Sequence, residues 1–169
     1  MILPNTEVPA LSLPLTDGST WDLKSQKSEA FTILVFYRGL HCPVCKKQLQ
    51  EIEEILPKFK DRGVDIISIS CDTEKRANLS AEKWEISKLP IAYNLSIEEA
   101  RKWGLYVSEA ISDKEPEQFS EPGIFIIRPD FSLYASSIQT MPFARPQMED
   151  ILKALDFVTE NDYPARGSK

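Results

Sequence analysis

Two cysteines, Cys42 and Cys45, stand between an apolar run and a helical pattern in 36-FYRGLHCPVCKKQL-49, and that placement limits what the chain can fold into. The run 31-FTILVFY-37 is rich in β-branched and aromatic residues and suits a strand buried on both faces. From about Pro43, the apolar residues Leu49, Ile52, Leu56 and Phe59 recur at three and four, extending a row begun by Cys45. That is a helix, which Pro57 is expected to kink or to cut short. Asp61-Arg62-Gly63 closes it, and Val64 to Ser70 reads as a second strand. Residues 31–70 therefore form a βαβ unit with parallel strands, and the thiol pair lies at its strand-to-helix junction.

The flanking sequence alternates strands and helices without repeat or linker. Residues 11–23 read as a hairpin turning at Asp17-Gly18. Thr73 to Ser87 reads as an exposed helix and 90-PIAYNL-95 as a short strand; 96-SIEEARKWG-104 is a helix opened by a Ser96/Glu99 capping box and closed by Gly104. Residues 108–122 are polar and read as loop. Gly123 to Ile127 and Phe131 to Ile138 form an antiparallel pair, and Pro146 to Glu160 a last amphipathic helix built on Met148, Ile151, Leu152, Leu155 and Phe157. The expectation is one domain over 1–169, with 161–169 an irregular tail.

A thiol reacts as its thiolate, and a helix N-terminus stabilises that anion with unpaired N–H groups and a positive dipole end. Pro43 is expected at the first helical position, which makes Cys42 the N-cap, its sulfur facing the N–H of Val44 or Cys45. Cys42 is then the candidate nucleophile. Cys45, one turn in on the apolar face, is the candidate resolving thiol. No carboxylate occurs between Glu29 and Glu51, whereas Arg38, Lys46 and Lys47 do.

Composition removes several other classes. The chain has 169 residues, 42% of them hydrophobic, enough for a core without disulfide staples. With 20 basic against 26 acidic residues the net charge is -6, and no basic stripe suggests a nucleic-acid partner. No segment is long and apolar enough for a membrane, and the first fourteen residues carry no cationic leader, so the chain is expected to be soluble and cytoplasmic. Three cysteines, an odd number, argue against a disulfide framework and for redox chemistry or metal binding. A zinc site would need Cys71 and His41 beside the pair, and adjacent His41 and Cys42 rarely converge on one metal. No metal and no cofactor is expected.

The order βαβ then ββα, with a CxxC opening the first helix, resembles the thioredoxin-like fold: an α/β architecture with a central mixed sheet flanked by helices. Within that superfamily the N-terminal hairpin, the FY-R-G-x-x-CPxC junction and the extra helix before the last two strands resemble the peroxiredoxin-like AhpC/TSA group. The resemblance implies a thiol-dependent oxidoreductase, a disulfide or hydroperoxide substrate, an external reductant of the thioredoxin or glutathione type, and an assembly that includes the homodimer among its options.

The resemblance also exposes departures. Peroxiredoxins carry PxxxTxxC before the peroxidatic cysteine; here Cys45 takes that position, Cys42 the threonine's and Arg38 the proline's. The arginine they keep ahead of a later strand is replaced by Pro122, which resembles the proline, usually cis, that thioredoxins and TlpA-type reductases hold opposite their CxxC. Two chemistries stay open. In one, Cys42 attacks a disulfide and Cys45 resolves; in the other, Cys45 attacks a hydroperoxide and Cys42 condenses with the sulfenic acid. A redox-sensing module that does not turn over is a third, of another class. Three further candidates are His41, which as an imidazolium would lower the Cys42 pKa; Cys71, at the same sheet edge; and Arg145, in 142-PFARPQ-147, as a substitute for the missing arginine.

Overall fold

The computed structural model describes residues 1–169. Strands β1 (Ser12–Pro14) and β2 (Thr20–Asp22) form the N-terminal hairpin about Asp17-Gly18, where the Asp17 carboxylate accepts from the Ser19 N–H at 2.8 Å. Every residue of β3 (Phe31–Phe36) is buried. Helix α1 (Pro43–Lys60) follows and returns the chain to β4 (Val64–Ile69), parallel to β3 in the register Phe31 with Val64. Then come α2 (Glu74–Lys83), β5 (Ile91–Ala92) and α3 (Ile97–Lys102). After β6 (Val107–Glu109) and β7 (Gln118–Ser120), the chain adds β8 (Gly123–Ile127), β9 (Leu133–Ile138) and α4 (Met148–Asn161).

The main sheet has the order β5-β4-β3-β8-β9; β5, β4 and β3 are parallel, and β8 and β9 antiparallel to their neighbours. Alternation along β3 sends Ile33, Val35 and Tyr37 to one face and Leu34 and Phe36 to the other. The first face carries α1, α4 and Ala77 of α2; the second carries the N-terminal hairpin and α3, with Trp103 against Phe36 and Phe125. Both cysteines of the pair belong to the first face. This mixed sheet between two helix-bearing layers is the thioredoxin-like arrangement.

Several boundaries differ from the sequence reading. Helix α1 runs through Pro57 to Lys60. An interior proline costs about 3 kcal/mol, but Leu49, Ile52, Leu56 and Phe59 are all buried, each contributing about 1.5–3 kcal/mol, so packing holds the last turn in place. Helix α2 stops four residues early because Glu85 takes a left-handed φ of 57°, turning the chain so that both Trp84 and Ile86 enter the core. The polar stretch 108–122 contains the β6–β7 hairpin; its three-residue strands are too short to show alternation, and Phe119 and Ser120 fill its inner side. Helix α4 begins at Met148, two residues after Pro146, and Phe157 lies on its exposed side against Tyr163 instead of in the core. The capping box at Ser96 and Glu99 forms as read, and beyond residue 162 no regular structure occurs. No helix is long and apolar enough to cross a membrane.

Candidate functional site

Cys42 is the N-cap of α1 with Pro43 at its first position, and the Cys45 N–H donates to Cys42 Sγ at 3.2 Å. The two sulfurs are joined as a disulfide with Cα atoms 5.2 Å apart. Cys42 is 2% exposed and Cys45 fully buried, so one turn of helix separates a sulfur at the surface of the core from one inside it.

The turn that presents them is fixed from below. Asp72, fully buried at the end of β4, accepts from the Leu40 N–H at 2.8 Å through one oxygen and from Arg76 Nε at 2.7 Å through the other. Gly39 passes so close that a Cβ there would sit 2.8 Å from Asp72 Oδ1, and its φ of +130° already excludes ordinary side chains. Asp72 is not among the residues singled out by the sequence reading, and Gly39 entered it only as the glycine of the FY-R-G-x-x-CPxC junction. The available signal was a carboxylate four residues before an arginine, just past a parallel strand whose end lies beside the CxxC.

Arg145 comes from the segment between β9 and α4. Its Nη2 donates to Cys45 Sγ at 3.2 Å and to Cys42 Sγ at 3.6 Å; Nη1 donates to Gln48 Oε1 at 2.7 Å and Nε to the Pro142 carbonyl at 2.8 Å. Burial, and next the charge of Arg38, pull its pKa down to about 10, while Glu121 opposes them; the guanidinium remains charged at neutral pH. Gln48, one turn beyond Cys45 on α1, is a further residue that the sequence reading passed over, since its spacing marks only a polar position inside an apolar face.

Arg38 takes a different position. It faces Glu121 at 3.4 Å and Glu115 at 3.7 Å and lies over the Phe119 ring at 4.9 Å, so its charge is already matched. Lys46 and Lys47 point to solvent. The His41 side chain is 4% exposed, edge-on to Phe119, with Nδ1 3.5 Å from Arg76 Nη2 and Nε2 3.9 Å from Glu115. Burial and the Arg38 charge lower its pKa, so the ring is neutral at pH 7 and the imidazolium role expected for it is replaced by a packing role.

Cys71 packs with the second face, across the sheet from the pair, and burial raises its pKa, with Ser120 beside it. The zinc alternative fails on this placement: the ligands it needed do not converge, and no group of three or more His, Cys, Asp or Glu is placed to hold a metal. Pro122 is buried just ahead of β8 and, with Gln48, Gln139 and Arg145, lines a cavity of only about 10 Å³. Its peptide bond is trans, since the backbone has no cis bond, and its carbonyl accepts from the Gln139 N–H as β8 and β9 pair. The likeness to the cis proline of thioredoxins and TlpA-type reductases therefore does not extend to the bond ahead of Pro122.

Comparison with known proteins decides the family, for the AhpC/TSA family model matches residues 4–136. The chain belongs to the AhpC/TSA family. A curated relative of this AhpC/TSA chain is the thiol-disulfide oxidoreductase ResA of Bacillus cereus, 28% identical over 86 residues, which are 51% of this chain and 49% of the relative; the chain thus spans about half the length of that protein. Among solved structures, peroxidoxin BcpB from Mycobacterium tuberculosis superposes with a TM-score of 0.77 at 17% identity, covering 94% of this chain and 99% of that one. The reduced 2-Cys peroxiredoxin of Plasmodium vivax gives 0.78 at 15% identity, covering 96% and 84%. At such identities the AhpC/TSA chain shares their fold.

Proposed function

We propose that the protein is a thiol-dependent oxidoreductase that cycles Cys42 and Cys45 between dithiol and disulfide, with Cys42 attacking and Cys45 resolving. The observation that carries this reading is a charged guanidinium in contact with both sulfurs at a helix N-terminus, where a thiolate would be stabilised twice. Cys42 thiolate attacks a substrate disulfide, one substrate thiolate leaves and takes up a proton, and a mixed disulfide remains. Cys45 then attacks Cys42 Sγ, the second substrate thiol leaves, and the Cys42–Cys45 bridge is left for two equivalents of an external thiol to reduce. Family membership and the curated relative support this class of chemistry. A reducing compartment such as the cytoplasm suits the free Cys71.

One observation favours a second reading: Arg145 lies nearer to Cys45 than to Cys42, 3.2 Å against 3.6 Å, and Cys45 holds the peroxidatic position of the family. In that case Cys45 thiolate attacks a hydroperoxide, an alcohol or water leaves, and Cys42 condenses with the sulfenic acid and releases water.

Rapid-quench mass analysis of the fully reduced protein, with Cys42→Ser and Cys45→Ser alongside, separates the readings. With one equivalent of hydrogen peroxide, the disulfide-exchange reading expects oxidation no faster than that of a free thiol, and with a model disulfide a mixed adduct retained on Cys42 in Cys45→Ser. Fast peroxide oxidation surviving in Cys42→Ser, with a sulfenic acid trapped on Cys45, would overturn it for the second. Oxidation once, with no turnover when glutathione or a dithiol is supplied, would make the protein a sensor.

A further inference from the structure

Every acceptor that Arg145 has in the disulfide form is neutral: a carbonyl, an amide oxygen and two bridged sulfurs. No carboxylate lies within ion-pair distance of it, although six of the chain's ten close ion pairs involve lysine or histidine with far less burial at stake for the lysines. Bridged sulfurs are weak acceptors, whereas a thiolate is a full counter-charge, and charge-assisted bonds are roughly twice as strong as neutral ones. Arg145 therefore interacts strongly with one redox state and weakly with the other. Whatever binds one state more tightly draws the equilibrium toward it.

Resting on the disulfide-exchange reading above, we propose that Arg145 poises the Cys42–Cys45 couple toward its reduced form, so that a small monothiol of the glutathione type suffices to recycle the bridge. In the exchange, two monothiols lose two electrons and become joined by a new S–S bond while the Cys42–Cys45 bond breaks. Of the two monothiol protons, one stays on a cysteine and the other passes to solvent when the second cysteine remains a thiolate. Access points the same way. Cys42 and Cys45 are 2% and 0% exposed, and the cleft beside Arg145, about 110 Å³ and lined by Val44, Lys47, Gln48, Phe143 and Pro146, has room for a thiol side chain but not for a folded domain. Reaching either sulfur requires a local opening, and a small thiol needs a smaller one than a folded dithiol protein does.

The test equilibrates wild type, Arg145→Gln and Arg145→Lys in glutathione buffers, traps thiols by alkylation and counts them by mass. At pH 7.5 the constant for reduction by glutathione is expected to fall by about tenfold or more in Arg145→Gln, with Arg145→Lys in between. At pH 5 the gap is expected to narrow, because protonation of a thiolate removes the counter-charge. Constants equal within about twofold, or a gap unchanged between the two pH values, overturn the proposal; the second result marks Arg145 as structural only. Where Arg145→Gln does not fold by circular dichroism, Arg145→Lys, which keeps the charge but not the forked contact to both sulfurs, is read by the same criteria. A wild-type bridge that does not exchange reversibly with any thiol would instead sink the dithiol reading itself, leaving the two failures distinguishable.

Discussion

Two arginines attend the CPVC turn, and their direct contacts differ: one is ion-paired, the other is not. On one side Arg38 joins Glu115 and Glu121, with His41, Arg76 and Asp72 continuing the network to the end of β4. On the other side Arg145 meets only neutral acceptors and the two sulfurs. A matched network spends its electrostatic energy on shape: each charge is answered by another, and what remains is a loop held in one conformation. An unmatched cation near a thiol keeps its field available for whatever charge forms there. Nearness in sequence to the cysteines is thus a poor guide to which cation serves them.

The contrast can be broken by experiment. The largest effect is expected at Asp72→Ala, which strips the Leu40 N–H of its acceptor and leaves the partly exposed Arg76 without its carboxylate; urea unfolding should show a loss of about 3 kcal/mol. Arg38→Gln comes next. It exposes Glu115 and Glu121 to each other without a cation, for a loss of about 2 kcal/mol, while the pH profile of alkylation of the reduced pair should move less than in Arg145→Gln. A larger shift from Arg38→Gln than from Arg145→Gln would reverse the assignment of the two sides. The smallest effect belongs to His41. Its folded pKa lies below the usual histidine value, so the unfolded chain takes up the proton first as pH falls. Stability should decline from about pH 7 through the ordinary value near 6.5 and level off below the lowered folded one, and His41→Phe should remove that segment of the melting-temperature profile.

Much of this was legible because it is local. The strand Phe31–Phe36, the Cys42 N-cap with Pro43 behind it, the α1 stripe and the Ser96/Glu99 box each follow from residues within a few positions of one another. The Arg145 contact spans about a hundred residues of sequence and depends on where α4 docks, so periodicity offered only a loop flanked by prolines. Asp72 was hidden for a similar reason: its role exists only because parallel strands bring the end of β4 beside the loop that leaves β3. Cys71 shows the reverse error. Sharing a sheet edge with the pair suggested proximity, but strand alternation put it with Ile67 and Ile69 on the other face. The Phe157 reading failed because apolar content was taken for an inward direction.

Helix α4 starts without a side-chain cap, since Gln147 makes no such bond; its first turn is held by the backbone bonds from Asp150 and Ile151 to Gln147, by buried Met148 and by the exposed Lys58–Glu149 pair. Helix ends of this kind unravel in local openings that cost far less than unfolding the whole molecule. Arg145 lies two residues ahead of that end. Amide exchange at the start of α4 should therefore run on a faster clock than in β3 or β8, and each fraying event lifts the guanidinium from the sulfurs while the sheet beneath stays intact.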